Sequence, residues 1–215
     1  MPTTPIDLFN HVNLNIKGQV KWNTQIPDDE YGLYVVALTD KADKLICNKI
    51  IQFDETAIEN WFSTISSKGK KLLVDKVPAS KESLKNRLNG FWLPDETIIY
   101  IGKAGKQTLN KRINQYYETK LGSKRPHAGG HWSNVLKNLN ELTVFYADCS
   151  KRHIDQTEEL MISYFQDNVS SNTRQTLHDK INCFPFANKE INKKKRKMHG
   201  LNNLIVDCGS HWRKT

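Results

Sequence analysis

Two groups in this chain have chemistry that plain packing does not call for. Arg112 and Tyr116 lie in Leu109-Asn110-Lys111-Arg112-Ile113-Asn114-Gln115-Tyr116-Tyr117. The apolar positions there are Leu109, Ile113, Tyr116 and Tyr117, a helical period of about 3.6. On that helix Arg112 and Tyr116 share one face, beside the apolar stripe. A guanidinium in such a place either snorkels outward or points at something anionic. Glu158 is the second. A helix expected over roughly 153–167 carries the stripe Ile154, Met161, Ile162 and Phe165, and Glu158 falls inside it. An acid on a core-facing stripe is costly unless it pairs with an arginine or binds a metal ion. Glu159, about 100° round the helix, reads as a solvated carboxylate.

Two basic clusters could contact phosphates. Gly122-Ser123-Lys124-Arg125-Pro126-His127-Ala128-Gly129-Gly130-His131-Trp132 reads as a loop. Lys124, Arg125, His127 and His131 in it can donate to an anion, and its glycines allow close backbone approach. The glycine pair argues against a helical zinc site at His127 and His131. The run Asn192-Lys193-Lys194-Lys195-Arg196-Lys197 is either a nonspecific polyanion contact or a solvated charge cluster. Cys47, Cys149, Cys183 and Cys208 form no C-x-x-C pair, so they are expected as free thiols.

The elements that must position these groups follow from patterning. Tyr31 to Leu38 is an apolar run that predicts a buried strand. Thr97 to Ala104 predicts a second strand, followed by a turn built on Gly102 and Gly105. Leu142 to Ala147 predicts a third. Ahead of them, Asp7–Asn13 suggests a short helix and Gln19–Trp22 a short strand. Between the first two long strands, Lys49–Phe53 looks strand-like. Asp54 can cap a helix through Ile58, Trp61, Phe62 and Ile65, and Ser80 can cap another that stops at Gly90. Lys68, Lys70, Lys71, Lys81, Lys85 and Arg87 in this segment could track a phosphate backbone or form solvated faces. A helix carrying Trp132, Val135, Leu136 and Leu139 is expected, then a short helix within 168–180 and a last strand at Leu204-Ile205-Val206.

The order of these pieces resembles the GIY-YIG nuclease family. Tyr31-Gly32-Leu33-Tyr34 fits the first tyrosine strand, with Leu33 where isoleucine is usual. Tyr100-Ile101-Gly102 fits the second, and Arg112-x-x-x-Tyr116 the helix after it. Glu158 matches the helical glutamate, and Pro185-x-x-Asn188 the closing asparagine. The match covers roughly 31–38 and 97–188. The resemblance implies an α+β fold: a small antiparallel sheet of about three strands flanked by helices, with a large insertion (39–95) between the tyrosine strands. It would be one domain over 1–215, ending in a basic extension (189–215). It also implies phosphodiester hydrolysis with one divalent metal, Mg2+ or Mn2+, held by Glu158. Tyr34 would take the proton of the attacking water, with Lys103 as the cation that lowers its pKa. Arg112 would donate to the phosphate, Tyr100 and Tyr116 would orient water or phosphate, and Asn188 would contribute to the site. Because the chain is nearly all nuclease plus insertions, the expected activity is sequence-specific cleavage of double-stranded DNA of restriction type. A homodimer and a cognate DNA methyltransferase are compatible with that. The alternatives are a structure-specific repair, homing or RNA-processing nuclease, and a noncatalytic nucleic-acid-binding module.

Composition agrees with a polyanionic partner: the 215 residues carry a formal charge of +9, and the sequence pI is about 9.3. No apolar run approaches a membrane span, and Met1-Pro2-Thr3-Thr4-Pro5 lacks the features of a signal peptide, so a cytoplasmic location is expected.

Overall fold

The computed structural model describes residues 2–27, 29–123, 131–191 and 195–205. It runs through α1 (Pro5–His11), β1 (Gly18–Lys21), β2 (Gly32–Ala37), α2 (Glu55–Ser66), β3 (Lys70–Val74), β4 (Val77–Pro78) and α3 (Lys81–Asn89). There follow β5 (Ile98–Ala104), α4 (Leu109–Glu118), two 3-10 turns (His131–Val135 and Leu139–Glu141), β6 (Thr143–Asp148), α5 (Ile154–Asn168), α6 (Ser171–Thr176), β7 (Glu190–Ile191), β8 (Lys195–Arg196) and β9 (Leu201–Ile205). The class is α+β.

The central sheet is antiparallel with strand order β1-β6-β2-β5. It is one strand wider than the three expected, because β1 adds beyond β6, Gly18 facing Tyr146. All six residues of β2 are buried. A strand covered on both faces reads as a continuous apolar run without alternation, which is the pattern from Tyr31 to Leu38. β5 is left at the sheet's edge, and both α4 and α5 pack against it. Among the described residues no helix is long and apolar enough to cross a membrane.

Caps set the insertion's helices. Asp54 Oδ1 accepts from the Ala57 N–H at 3.0 Å to start α2, and Ser80 Oγ accepts from the Ser83 N–H at 3.0 Å to start α3. β3 and β4 form a hairpin turning through Asp75 (φ 49°) and Lys76 (φ 70°), the positive-φ pair that a tight two-residue turn requires. On its other side β3 pairs with β9, from Lys70 opposite Ile205 to Val74 opposite Leu201. The insertion and the C-terminal segment therefore share a second sheet.

Two expectations fail. Lys49–Phe53 forms no strand; only Phe53 bridges to Leu136. The segment from Trp132 forms 3-10 turns rather than an α-helix. The two departures have one cause. The Val135 carbonyl accepts from the Asp54 N–H, and the Lys137 N–H donates to the Gln52 carbonyl. These backbone groups are used across the chain, so no i→i+4 ladder can run through 132–139.

Candidate active site

The register of β2 against β5 sets Tyr34 opposite Gly102 and Val36 opposite Tyr100. Alternation along a strand then puts Tyr34, Tyr100 and Gly102 on one face. Gly102 lies within β5, not in the turn after it, and its role is close approach. A Cβ there would sit 2.5 Å from Tyr34 Cζ and 2.5 Å from Tyr100 Cε1. Without one, the two rings close to 5.8 Å between centroids. α4 lays Tyr116 against them, at 6.3 Å from Tyr34 and 5.1 Å from Tyr100. The Tyr116 hydroxyl is 2.5 Å from Ser133 Oγ. α4 buries Leu109, Ile113 and Tyr116, so Arg112 at the stripe's border is turned inward and half-buried. Its positive charge acts on the Tyr34 phenol and opposes the effect of burial there.

Lys103, one residue past Gly102, points to the other side of the edge strand. There Lys103 Nζ meets Glu158 Oε2 at 2.6 Å and Asp155 Oδ1 at 2.9 Å on α5. The Glu158 side chain is 15% exposed and that of Asp155 80%, so Glu158 is the carboxylate held inside. Burial pushes the Glu158 carboxyl up from its ordinary value, and the Lys103 ammonium opposes that. Burial alone would push the Lys103 amine down, but the two carboxylates reverse the balance and raise it.

Burial raises the Tyr34 phenol well above its ordinary value; Arg112 opposes the rise and Glu158 adds to it. The cation acting on Tyr34 is thus Arg112. Lys103, expected in that role, is engaged with Glu158 and Asp155, because strand alternation sends it away from Tyr34. Burial likewise raises the phenols of Tyr100 and Tyr116. The site straddles the sheet edge: tyrosines and Arg112 on one side of β5, Glu158 on the other, with Glu158 in electrostatic reach of Tyr34, Tyr100 and Arg112.

Asn188 is buried beside β5 with both ends of its amide engaged. Its Oδ1 accepts from the Ile101 N–H at 2.8 Å, and its Nδ2 donates to the Ile101 carbonyl at 2.8 Å. The side chain imitates a neighbouring strand on an otherwise open edge. Asn188 therefore positions the Tyr100-Ile101-Gly102 backbone.

The basic clusters divide. His131 is buried, edge-on to Trp61, with Lys189 Nζ 3.5 Å from its Nδ1, so it is not a free surface donor. Lys195 and Arg196 are exposed on β8, and Arg196 pairs with Glu190 at 2.9 Å. Lys124, Arg125, His127, Lys193 and Lys194 lie outside the described residues. In the insertion, Lys81 pairs with Glu59, Lys85 with Glu55 at 3.0 Å, and Arg87 with Asp75, while Lys68 donates to the Gly122 carbonyl. These four are engaged within the fold. Three contributors were not read from the sequence. Asp155 stands three residues before Glu158, a spacing that places it on the same helix side. Ser133 carries no local signal, and Lys197, buried against the Pro185 and Phe186 carbonyls, reads in sequence only as one more charge of the basic run.

Magnesium is held in phosphoryl-transfer sites by one or two carboxylates together with waters and substrate oxygens. Glu158, half-enclosed with Asp155 one turn before it, fits that donor set.

Comparison with protein-family models, with curated proteins and with solved structures finds no match to the chain.

Proposed function

We propose that the chain is a metal-dependent endonuclease of the GIY-YIG type, hydrolysing phosphodiester bonds of double-stranded DNA at specific sequences. The observation that carries this is the packing of Tyr34, Tyr100 and Tyr116 around Gly102, with the charges of Arg112 and Glu158 both acting on the Tyr34 phenol. A cation from α4 and a phenol from β2 share one side of β5, and a largely buried carboxylate from α5 lies across the strand edge in electrostatic reach of both. The charge of +9 suits the partner. The order of Tyr34, Tyr100, Arg112, Tyr116, Glu158 and Asn188 along the chain is the other support.

In this reading Glu158 would hold magnesium, with Asp155 beside it. The metal, when bound, supplies Lewis-acid polarisation of the scissile phosphate. Arg112 presents a planar set of N–H donors to the phosphoryl oxygens as negative charge builds on them. Tyr34 would accept the proton of the attacking water as phenolate, a form that burial disfavours and that the Arg112 which meets the phosphate partly restores. Lys103 works against the upward push of burial on the Glu158 carboxyl. Tyr100 and Tyr116 hold the Tyr34 ring by packing against it. A homodimer cutting both strands, a companion methyltransferase and a cytoplasmic setting belong to the same proposal.

The test is incubation of the protein and magnesium with phage genomic DNA, followed by mapping of fragment ends. Discrete bands sharing an end sequence support it. A smear, or cleavage confined to flaps and branches, moves the reading to a structure-specific nuclease.

A further inference from the structure

Lys197 closes the basic run that the sequence offers as a polyanion contact, yet it is only 4% exposed. Its Nζ donates to the Pro185 carbonyl at 2.7 Å and to the Phe186 carbonyl at 2.8 Å. It lies over the rings of Phe91 and Trp132, 5.8 Å from each centroid. Its own N–H donates to the Lys189 carbonyl at 2.8 Å. Burial pushes the amine down to about 7, and an amine that has lost its proton still carries two N–H groups for two carbonyls.

The two carbonyls belong to the turn that reaches β5. The Asn188 N–H closes that turn on the Pro185 carbonyl at 2.9 Å, and the Ala187 N–H donates to the Ile99 carbonyl at 2.9 Å. Asn188 then pairs with Ile101 on both of its backbone groups. Tyr100 lies between the two residues so held, and Gly102 follows. Lys197 grips the turn from behind, and the turn grips the tyrosine strand from its open edge.

We propose that Lys197 is a positioning residue for the site, acting through the Pro185–Asn188 turn on β5. The catalytic consequence rests on the nuclease reading; the mechanical linkage does not. A strand edge held by two clamped residues fixes the Tyr100 ring, and with it the phenol of Tyr34, to the tolerance that proton transfer needs.

The test is residue-resolved amide hydrogen exchange on the full chain, comparing wild type, Lys197→Met and Lys197→Arg, with magnesium-dependent DNA cleavage measured alongside. Methionine fills the space without donors, and arginine keeps donors. In Lys197→Met the Ile101 and Ala187 amides should exchange ~10-fold faster, the equivalent of one lost hydrogen bond, while Val35 and Phe145 in the sheet centre stay unchanged. Lys197→Arg should recover part of the protection. The cleavage rate constant should fall by ~10-fold with little change in KM, and Lys197→Met added to Asn188→Ala should cost nothing further. Unchanged exchange at Ile101, or equal loss at Ile101 and Phe145, overturns the proposal. Local loss at Ile101 in Lys197→Met, together with a wild type that cuts no DNA, upholds the linkage and overturns the nuclease reading alone.

Discussion

Tyr34 is the residue whose placement most constrains the chemistry. It is fully buried, packed against the rings of Tyr100 and Tyr116 and under the charge of Arg112, so it is a costly place for a phenol that does only packing. Tyr34→Phe removes the ionisable atom and keeps the ring. Thermal stability should change little, while the single-turnover cleavage rate should fall by at least ~100-fold, the lower end for a positioned acid–base group. The partition of the two cations gives a second test. Lys103 lowers the Glu158 carboxyl, so Lys103→Met lets Glu158 protonate at higher pH. The acid limb of the pH–rate profile should then move upward in pH, while the alkaline limb, where rate rises with ionisation of Tyr34, should stay. A shift of the alkaline limb instead would return Lys103 to the phenol. The sequence offered both cations within a few residues of the tyrosines. It could not assign them, because that depends on which side of β5 each one reaches.

At the scale of elements, the edge strand β5 organises the site, and Gly102 is its narrowest point. Gly102→Ala places a methyl group 2.5 Å from two tyrosine rings. The rings must part, at a cost of about 1–3 kcal/mol for an overpacked core. Thermal unfolding should register that cost, and cleavage should fall more steeply than stability. The helices are legible in sequence: Asp54 and Ser80 cap α2 and α3 of the insertion, and α4 and α5, beside β5, bury the stripes their periodicity predicts. The run from Trp132 to Leu139 misled because its backbone hydrogen bonds go to residues 52–54, and side-chain spacing does not record backbone partners. Gly102 was read as part of a turn for a similar reason. A glycine needed for room between rings looks, in sequence, like a glycine needed for a bend.

The whole molecule is tied by contacts between distant segments. β9 pairs with β3, so the C-terminal extension closes the insertion's sheet. The basic run before it contains both exposed charges and the buried Lys197, a distinction that tertiary packing alone creates. Just ahead of β5, the buried Glu96 ties in the segment after α5: its Oε1 accepts from the Ser170 N–H at 3.2 Å, and its Oε2 has no hydrogen-bond partner among the described residues. Burial raises its carboxyl to about 7. A folded-state pKa above the unfolded value means that the folded chain binds more protons in the interval. Stability is then greatest below the unfolded value near 4.5 and declines as pH rises to about 7. Glu96→Gln should flatten that decline in melting temperature; an equally steep slope in the variant would assign it elsewhere. The central claim, that this molecule hydrolyses DNA through a carboxylate-held metal at the edge of its sheet, is tested most directly by one comparison. Wild type and Glu158→Gln are incubated with magnesium and double-stranded phage DNA, and initial cleavage rates are measured alongside DNA binding. The account predicts magnesium-dependent cleavage by the wild type, and its loss in Glu158→Gln with binding retained. Cleavage by Glu158→Gln at the wild-type rate, or no cleavage by the wild type, would contradict it.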